Sequence, residues 1–203
     1  MTALIDYNTG NLQSVINAIE KIGQKAVLVK NPEELKGYDR AILPGVGAFG
    51  DAMQFLKQSG MDKAIIEFAK SGKALLGICL GMQLLFDKSS EFGSNDGLGL
   101  IEGVVTAFDK TKFKTPLKVP HMGWNSFSIK QDSPLLRDLK DGTYLYFVHS
   151  FHVVCDKKYI IASTNYGYDF PSIVQKDSIY GFQPHPEKSH ENGLKILKNF
   201  MEI

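Results

Sequence analysis

Short apolar segments alternate with amphipathic stretches through the first half of this chain, and this alternation limits the folds open to it. The apolar segments of strand length are residues 2–7, 25–29, 40–43 and 74–78. The stretches with apolar side chains at helical spacing are residues 11–22 and 61–70, with a short capped helix predicted at 31–34. Parallel strands need long crossover connections, which such helices supply. The pattern therefore predicts a parallel β-sheet covered by helices.

The second half changes character and predicts an antiparallel addition to that sheet. Strand patterns with turn signals between them occupy residues 98–108, 125–129, 144–154, 159–164, 173–176 and 179–183. A helix at 191–202 closes the chain. With no repeat or linker between the halves, we expect one α/β domain over residues 1–203. Its central sheet should be mostly parallel, flanked by helices, with an added antiparallel portion.

Composition excludes several classes of protein. Hydrophobic residues make up 43% and charged residues 22% of the 203 residues, which is ordinary for a globular domain. The net charge is +1 and the basic residues are scattered, so no electrostatic footprint for nucleic acid is present. Two cysteines do not make a disulfide framework. No signal sequence or membrane-length apolar run is evident, and we expect a cytoplasmic protein.

Cys79 occupies a turn that is typical of an enzymatic nucleophile. The sequence from Gly77 to Gly81 reads Gly-Ile-Cys-Leu-Gly and joins a strand to a predicted helix over residues 80–86. Flanking glycines permit a sharp turn that exposes the central side chain. The nearby helix N-terminus favours a thiolate over a thiol. Cys155, by contrast, alternates with apolar neighbours and is expected to be an ordinary core residue.

A thiol nucleophile requires a base and a group that orients the base. Of five histidines, only His185 has suitable neighbours, in Gln-Pro-His-Pro-Glu. The prolines favour extended backbone, in which residues i and i+2 point the same way. Glu187 is therefore predicted to lie beside His185 and to orient its ring.

An oxyanion hole is the third requirement, and two segments offer its donors. The N–H of Leu80 directly follows the nucleophile. The loop Pro44-Gly45-Val46-Gly47 ends a neighbouring strand at the same sheet edge. Glycines around Val46 free a peptide plane to rotate, so that the N–H of Val46 or Gly47 can point inward or outward. We expect Val46, Gly47 and Leu80 to form the oxyanion hole, with the first two acting as a switch.

These residues resemble the class I, triad-type glutamine amidotransferases. Within that class the chain resembles the glutaminase subunits of imidazole glycerol phosphate synthase. The segments that carry this second resemblance are residues 8–12, 44–47, 120–125 and 146–150, together with Lys188 after Glu187. The resemblance spans nearly the whole chain and implies a flavodoxin-like α/β fold.

The resemblance also implies roles for individual residues. Cys79 attacks the side-chain amide of glutamine, and His185, held by Glu187, relays the proton. Gln83 and Glu91 hold the substrate, and backbone at Ser150 and Phe151 contacts its main-chain end. Gln83 lies one turn past Cys79 and can reach the same pocket without reference to the family. Glu91 has no independent signal in the sequence.

The resemblance further implies a partner protein. The family's partner is a (β/α)₈-barrel cyclase subunit that forms a heterodimer with the glutaminase and consumes its ammonia. No cofactor or metal is expected. Trp124, beside a glycine, suits either a core or an exposed anchor from the sequence alone, and the resemblance favours the partner interface. Asn11 and Lys188 are candidate polar contacts to the partner.

Other functions remain open at this point. The same glutaminase chemistry can serve a different synthase, such as one that modifies a surface sugar. A free-standing thiol hydrolase, such as a peptidase or γ-glutamyl hydrolase, needs no partner. A non-enzymatic scaffold is a third alternative, against which the intact set of Cys79, His185 and Glu187 argues.

Overall fold

A large mixed β-sheet flanked by helices organises the molecule, and the computed structural model describes residues 1–8 and 11–203. The strands are β1 (Thr2–Ile5), β2 (Ala26–Val29), β3 (Arg40–Leu43), β4 (Ala74–Ile78), β5 (Phe86–Ser89), β6 (Asn95–Asp96), β7 (Ile101–Ala107), β8 (His121–Ile129), β9 (Tyr144–His149), β10 (Phe151–Cys155), β11 (Ile160–Tyr166), β12 (Tyr168–Lys176) and β13 (Ile179–Phe182). The helices are α1 (Leu12–Lys21), α2 (Pro32–Leu35), α3 (Phe49–Ser59), α4 (Met61–Lys70), α5 (Leu80–Leu84) and α6 (His190–Met201).

In residues 1–8 and 11–203, the main sheet has nine strands in the order β2-β1-β3-β4-β13-β12-β11-β8-β9. Its strands are parallel from β2 to β13 and antiparallel from β13 to β9. The parallel part has the flavodoxin-like order, in which sites form at the carboxyl ends of the strands. A second sheet of four strands has the order β10-β7-β5-β6. The predicted α/β fold with an added antiparallel portion is confirmed, and the antiparallel portion is large.

Two apolar cores lie on opposite faces of the parallel strands. Along β1, Ala3 and Ile5 belong to the core that α3 and α4 cover, whereas Leu4 belongs to the core that α1 and α6 cover. This alternation follows from the two-residue period of a strand, and burial on both faces explains why residues 3–5 of β1 are a continuous apolar run. Within the described residues, no helix is long and apolar enough to span a membrane.

Several predicted elements agree with the structure. Strands 40–43 and 74–78 and helix 61–70 have the predicted bounds. Asn31 caps α2, and its side chain accepts a hydrogen bond from the N–H of Glu33 at 3.1 Å. The turn at 177–178 joins β12 to β13 as predicted.

The predicted strand 144–154 is wrong at its centre. The chain pairs with β8 up to His149, bends at Ser150, and then pairs with β7 in the second sheet from Phe151 onward. Each half has a normal strand pattern, and no glycine or proline marks the break. Tertiary pairing alone sets it.

The predicted helix 80–86 is too long, because α5 ends at Leu84 and Phe86 begins β5. Periodicity does not separate a short buried helix from a strand in such an apolar run. The predicted strand 98–108 begins only at Ile101, after a loop that contains Gly97 and Gly99. The predicted strand 125–129 begins earlier, at His121. Helix α3 has no counterpart among the predicted elements.

Candidate active site

Cys79 lies in a strained turn between β4 and α5. Its backbone has φ 54° and ψ −110°, a conformation that L-residues rarely adopt. The Cys79 N–H donates to the carbonyl of Phe182 at 2.8 Å, which ties the turn to the end of β13. Such strain persists only where the surroundings over-determine the backbone, and it is frequent at active sites.

The glycines on either side of the turn are required by close backbone packing. A Cβ on Gly81 would lie 1.8 Å from the carbonyl oxygen of Leu43, and one on Gly77 would lie 2.6 Å from the carbonyl oxygen of Gly81. Both distances are far inside van der Waals contact. The sequence Gly-x-Cys-x-Gly is therefore explained by the approach of this turn to β3 and to itself.

His185 and Glu187 form a buried pair directly after β13. Nδ1 of His185 lies 2.8 Å from Oε1 of Glu187, and both side chains are almost fully buried. The predicted contact is present, but the predicted reason for it is wrong. Residues Pro186–Lys188 form a single 3₁₀ turn, which brings Glu187 back to the ring, in place of an extended segment.

The charge of His185 follows from its neighbours. Burial by itself lowers the pKa of His185, but hydrogen bonding and charge from Cys79 and Glu187 outweigh this effect and raise the pKa to about 10. The ring is therefore held as imidazolium at neutral pH, which places a positive charge in the cavity that Cys79 lines. Nε2 is buried, and no described residue accepts a hydrogen bond from it with ordinary distance and angle, so its proton is available for transfer to a substrate.

A cavity of about 360 Å³ contains the Cys79 and His185 side chains. Glu187 is not among its lining residues and lies behind the His185 ring. All the residues predicted for the oxyanion hole and for substrate binding line this cavity, as does Lys188. These residues are Val46, Gly47, Leu80, Gln83, Glu91, Ser150 and Phe151.

The two candidate oxyanion segments are packed together. Leu80 is the first residue of α5, so its N–H has no acceptor within the helix. A Cβ on Gly45 would lie 3.0 Å from Leu80 Cβ and 3.1 Å from the nitrogen of Gly81. At Gly47, where φ is +99°, a Cβ would meet nothing within 4 Å. The first glycine of the loop is thus fixed against the nucleophile turn, and the second has free space around it.

Gln83 and Glu91 are each held by a specific hydrogen bond. The buried Gln83 donates from Nε2 to the carbonyl of Phe151 at 3.1 Å. Glu91 accepts the N–H of Phe49 at 2.7 Å through Oε2, at the start of α3. A carboxylate at a helix N-terminus is stabilised by the exposed N–H groups and the helix dipole. Because α3 was not predicted, nothing in the sequence pattern could identify Glu91.

Ser150 and Phe151 lie where the chain passes from one sheet to the other. The carbonyl of Ser150 accepts the N–H of Phe108 at 3.3 Å. The carbonyl of Phe151 accepts from Gln83 and also contacts Nδ1 of His149 at 2.8 Å. The break in the predicted strand thus exposes backbone to the cavity.

Of the candidate interface residues, Lys188 lines the cavity and Trp124 does not. Trp124 is 45% exposed, which excludes the core alternative, and it stacks on His190 with ring centroids 5.0 Å apart. Its ring also meets Tyr146 edge-on at 6.0 Å, and Nζ of Lys188 lies 5.8 Å from the centre of the same Tyr146 ring.

Asn11 is exposed immediately before α1. Thr9 and Gly10, part of the segment 8–12 that carries the resemblance, lie outside the described residues.

Two buried polar residues near the site were not predicted. Gln183 lies between Gln83 and the sulfur of Cys79. His149 supports Phe151. A polar side chain at a position that the strand pattern predicts to be buried was the available signal for both. In the described part of the chain, no group of three or more His, Cys, Asp or Glu residues is arranged to hold a metal ion.

Comparisons with known proteins agree along the whole chain. The family model "Glutamine amidotransferase class-I" matches residues 3–203. The imidazole glycerol phosphate synthase subunit HisH of Wolinella succinogenes is 59% identical over 204 residues, covering 100% of both chains. The protein of the same name from Sulfurimonas denitrificans is 60% identical, covering 98% of this chain and 97% of its own.

Solved structures share the fold at low identity. PurLQS from Thermotoga maritima matches with a TM-score of 0.76 and 20% identity, covering 99% of this chain and 97% of that chain. A structure described as a glutamine amidotransferase matches with a TM-score of 0.75 and 17% identity, covering 98% of this chain and 97% of that chain. At such identities the likeness concerns the fold alone.

Proposed function

Because this chain belongs to the class-I glutamine amidotransferase family, we propose that it is the glutaminase subunit of imidazole glycerol phosphate synthase in histidine biosynthesis. It hydrolyses glutamine to glutamate and ammonia. The observation that carries this proposal is the pairing of His185 with Glu187 at 2.8 Å, with Cys79 and His185 lining the same cavity. Sequence identity of 59% and 60% to the two HisH proteins, over nearly the full length of each chain, supports the assignment to histidine biosynthesis.

The first half of the reaction forms a thioester. The Cys79 thiolate attacks the side-chain carboxamide carbon of glutamine, and the carbonyl oxygen becomes an oxyanion. The N–H of Leu80 donates to that oxygen. His185 transfers its Nε2 proton to the leaving nitrogen, so that the C–N bond breaks and ammonia departs. Glu187 keeps the ring oriented and stabilises its charge.

The second half hydrolyses the thioester. His185, now neutral, accepts a proton from a water molecule as the water attacks the thioester carbon. The tetrahedral intermediate collapses, the carbon–sulfur bond breaks, and glutamate leaves. The Cys79 thiolate and the His185 imidazolium are thereby restored. Gln83, Glu91 and the backbone at 150–151 hold the amino-acid end of the substrate throughout.

The loop at Val46 and Gly47 controls the second oxyanion donor. Val46 is 44% exposed, and a Cβ on Gly47 would meet nothing within 4 Å, so the side of this loop where that Cβ would lie is open. One N–H of this loop completes the oxyanion hole after its peptide plane rotates. Loss of one such donor typically reduces the rate by about 10²–10³.

The ammonia is consumed by a cyclase subunit. We propose a (β/α)₈-barrel partner in a cytoplasmic heterodimer, which yields imidazole glycerol phosphate and aminoimidazole carboxamide ribotide. Free ammonia becomes ammonium in water, so its source must dock to its consumer. The exposed Trp124 supports a docking face beside the cavity, because its ring meets Tyr146, whose carbonyl accepts the N–H of His185 at 2.9 Å.

A comparison of glutaminase rates tests this function. The isolated chain should hydrolyse glutamine slowly, and addition of the cyclase subunit with its bound nucleotide should raise kcat by about 10²–10³, the value of one oxyanion donor. Bovine serum albumin at equal concentration controls for nonspecific stabilisation. Full activity in the isolated chain, unchanged by the partner, would contradict the switch and favour a free-standing hydrolase.

A further inference from the structure

Gln183 contacts the sulfur of Cys79 from the side that is closed to solvent. Its side chain is fully buried, and its Nε2 lies 3.8 Å from Sγ, a distance that the large radius of sulfur allows. The backbone N–H of Gln183 donates to the carbonyl of Ser172 at 2.9 Å, which fixes the residue just after β13. The catalytic steps above make no use of this residue.

The neighbours of Gln183 determine which end of its amide faces the sulfur. The carbonyl of Phe151 can only accept, so the Gln83 atom 3.1 Å away from it must be Nε2. The second N–H of that nitrogen points to Gln183 at 3.0 Å, so the Gln183 atom there must be Oε1. The opposite atom, Nε2, therefore faces Cys79 as a donor.

The histidines beyond Phe151 hold this arrangement in place. Nδ1 of His149 donates to the Phe151 carbonyl at 2.8 Å, so its Nε2 must accept from Nδ1 of His121 at 3.1 Å. Burial lowers the pKa of His149 to about 3 and that of His121 to about 4, so both rings are neutral as these roles require. The Phe151 carbonyl thus accepts from two donors, Nδ1 of His149 and Nε2 of Gln83. The Gln83 amide can make this hydrogen bond only with its Nε2 directed toward that carbonyl.

We propose that Gln183 is a hydrogen-bond donor to the nucleophile, and that its Nε2–H holds the Cys79 sulfur as a thiolate in the resting enzyme. The proposal rests on the nucleophilic role proposed for Cys79. A hydrogen bond to a charged acceptor is about twice as strong as one to a neutral acceptor, so this donor favours thiolate over thiol. Gln83 contributes by presenting Gln183 in the required orientation.

Other titratable groups lie around the sulfur and must stay constant in a test. His185 and Glu187 lie in the segment after β13, and Glu91 and Lys188 lie in the cavity wall. His149, which is neutral, lies at the end of β9. Substitution at position 183 leaves all of them in place. A change in sulfur reactivity can then be assigned to the lost donor.

The test measures alkylation of Cys79 by iodoacetamide as a function of pH, with the modified site identified by mass spectrometry. Cys155 interferes little, because burial raises its pKa to about 12. Gln183→Met keeps the volume and removes the donor. Its profile should move up by about one pH unit, and the rate at any pH below both midpoints should fall about tenfold. Ser172→Ala, which removes a buried hydroxyl without touching sulfur, should stay within about twofold of the native rate.

An unchanged alkylation profile in Gln183→Met would overturn the proposal. If that variant does not fold, two other measurements test the proposal: alkylation of Gln183→Glu, and NMR spectroscopy of the native protein. The carboxylate of Gln183→Glu should lower alkylation further, and the side-chain amide NMR signals of Gln183 should follow thiolate titration in the native chain but not in Cys79→Ser. An amide signal that ignores the titration would refute the contact. If alkylation of Cys79 in the native protein leaves glutamine hydrolysis intact, the nucleophilic role of Cys79 is refuted instead.

Discussion

At the scale of single residues, the carboxylate of Glu187 controls what His185 can do. Among the described residues, only Oε1 has a hydrogen-bond partner, and Oε2 is buried without one. A buried carboxylate with an unsatisfied oxygen is costly unless a charged partner compensates it. His185, whose raised pKa keeps its ring positively charged at neutral pH, is that partner.

Glu187→Gln should lower kcat of glutamine hydrolysis in the complex by about 10²–10⁴, since the amide stabilises imidazolium poorly and can force the wrong tautomer. The pKa of His185, raised to about 10 in the native chain, should fall. Steady-state kinetics against pH and the NMR titration of His185 check both effects. Glu191→Gln is the control, because this exposed acid lies nearby in the first turn of α6. Equal kinetics in the two variants would contradict the role of Glu187.

The candidate residues with a local sequence pattern, Cys79 and His185, line one cavity in the structure. Cys79 stands out because Gly77 and Gly81 are spaced for a tight turn, and His185 because prolines flank it. Glu91 came from family resemblance alone, since its position depends on α3. Gln183 was not predicted, because its contact with sulfur depends on the pairing of β13 with β4 and no local pattern encodes that pairing.

At the scale of elements, the pair β8 and β9 brings two histidines into the interior. His121 and His149 are directly opposite each other in the ladder and are joined by a hydrogen bond. The same pairing places Trp124 opposite Tyr146. One pair of strands therefore carries both the support for the substrate pocket and the exposed aromatic rings.

The two buried histidines should make the fold sensitive to acid. Their folded pKa values, about 4 for His121 and about 3 for His149, lie below the unfolded value near 6.5, so the unfolded chain binds more protons below pH 6.5. The contribution of these two histidines to stability should be complete above pH 6.5 and should fall as pH decreases toward 4, by about 1.4 kcal/mol per pH unit for each histidine. Urea unfolding at pH 7.5, 6 and 5 measures this slope.

A matched pair of variants shows whether His121 and His149 cause the acid sensitivity of the fold. His121→Gln combined with His149→Gln should reduce the pH dependence of the free energy of unfolding, and the slope that remains should include His152, whose pKa burial also lowers. His190→Gln, at an exposed position, should keep the native slope. A double variant with the native slope would show that other groups cause the acid sensitivity.

Element prediction located the four parallel strands of the first half but missed α3 and extended α5 too far. Helix 61–70 was predicted to the residue because its helical period is distinct, and strand 40–43 because an apolar run ends at Pro44. The bend at Ser150 was missed because the flanking strands β9 and β10 continue the same pattern in different sheets. The order of strands across the sheet was likewise beyond local sequence, although it creates the cavity.

At the scale of the whole molecule, exposed apolar side chains lie on the pair β8 and β9 and on the loop at Val46, which lines the cavity. Val46, Met122, Trp124 and Tyr144 are all more than 40% exposed. Met122 and Trp124 lie two residues apart on β8 and therefore share a face. This surface is suited to the cyclase subunit proposed above.

Trp124→Ala should weaken binding of the cyclase subunit by about 30-fold, the usual effect of an anchor worth ~2 kcal/mol, or abolish its stimulation of glutaminase. The melting temperature of the isolated chain should change little, because Trp124 is 45% exposed. Calorimetric titration and thermal melting measure the two effects. Met122→Ala, at 62% exposure on the same face, is the control and should have the smaller effect on binding. A large fall in melting temperature with normal association would refute the anchor role.

The most direct test of the whole account uses Cys79→Ala in the assembled complex, with formation of imidazole glycerol phosphate as the readout. Glutamine-supported synthesis should fall by about 10⁴-fold or more, while synthesis from added ammonium salt should stay at the native rate, because the thiol serves only to release ammonia. Cys155→Ala should keep both activities. Equal loss of both activities in an intact Cys79→Ala complex, or survival of glutamine-supported synthesis, would contradict the account.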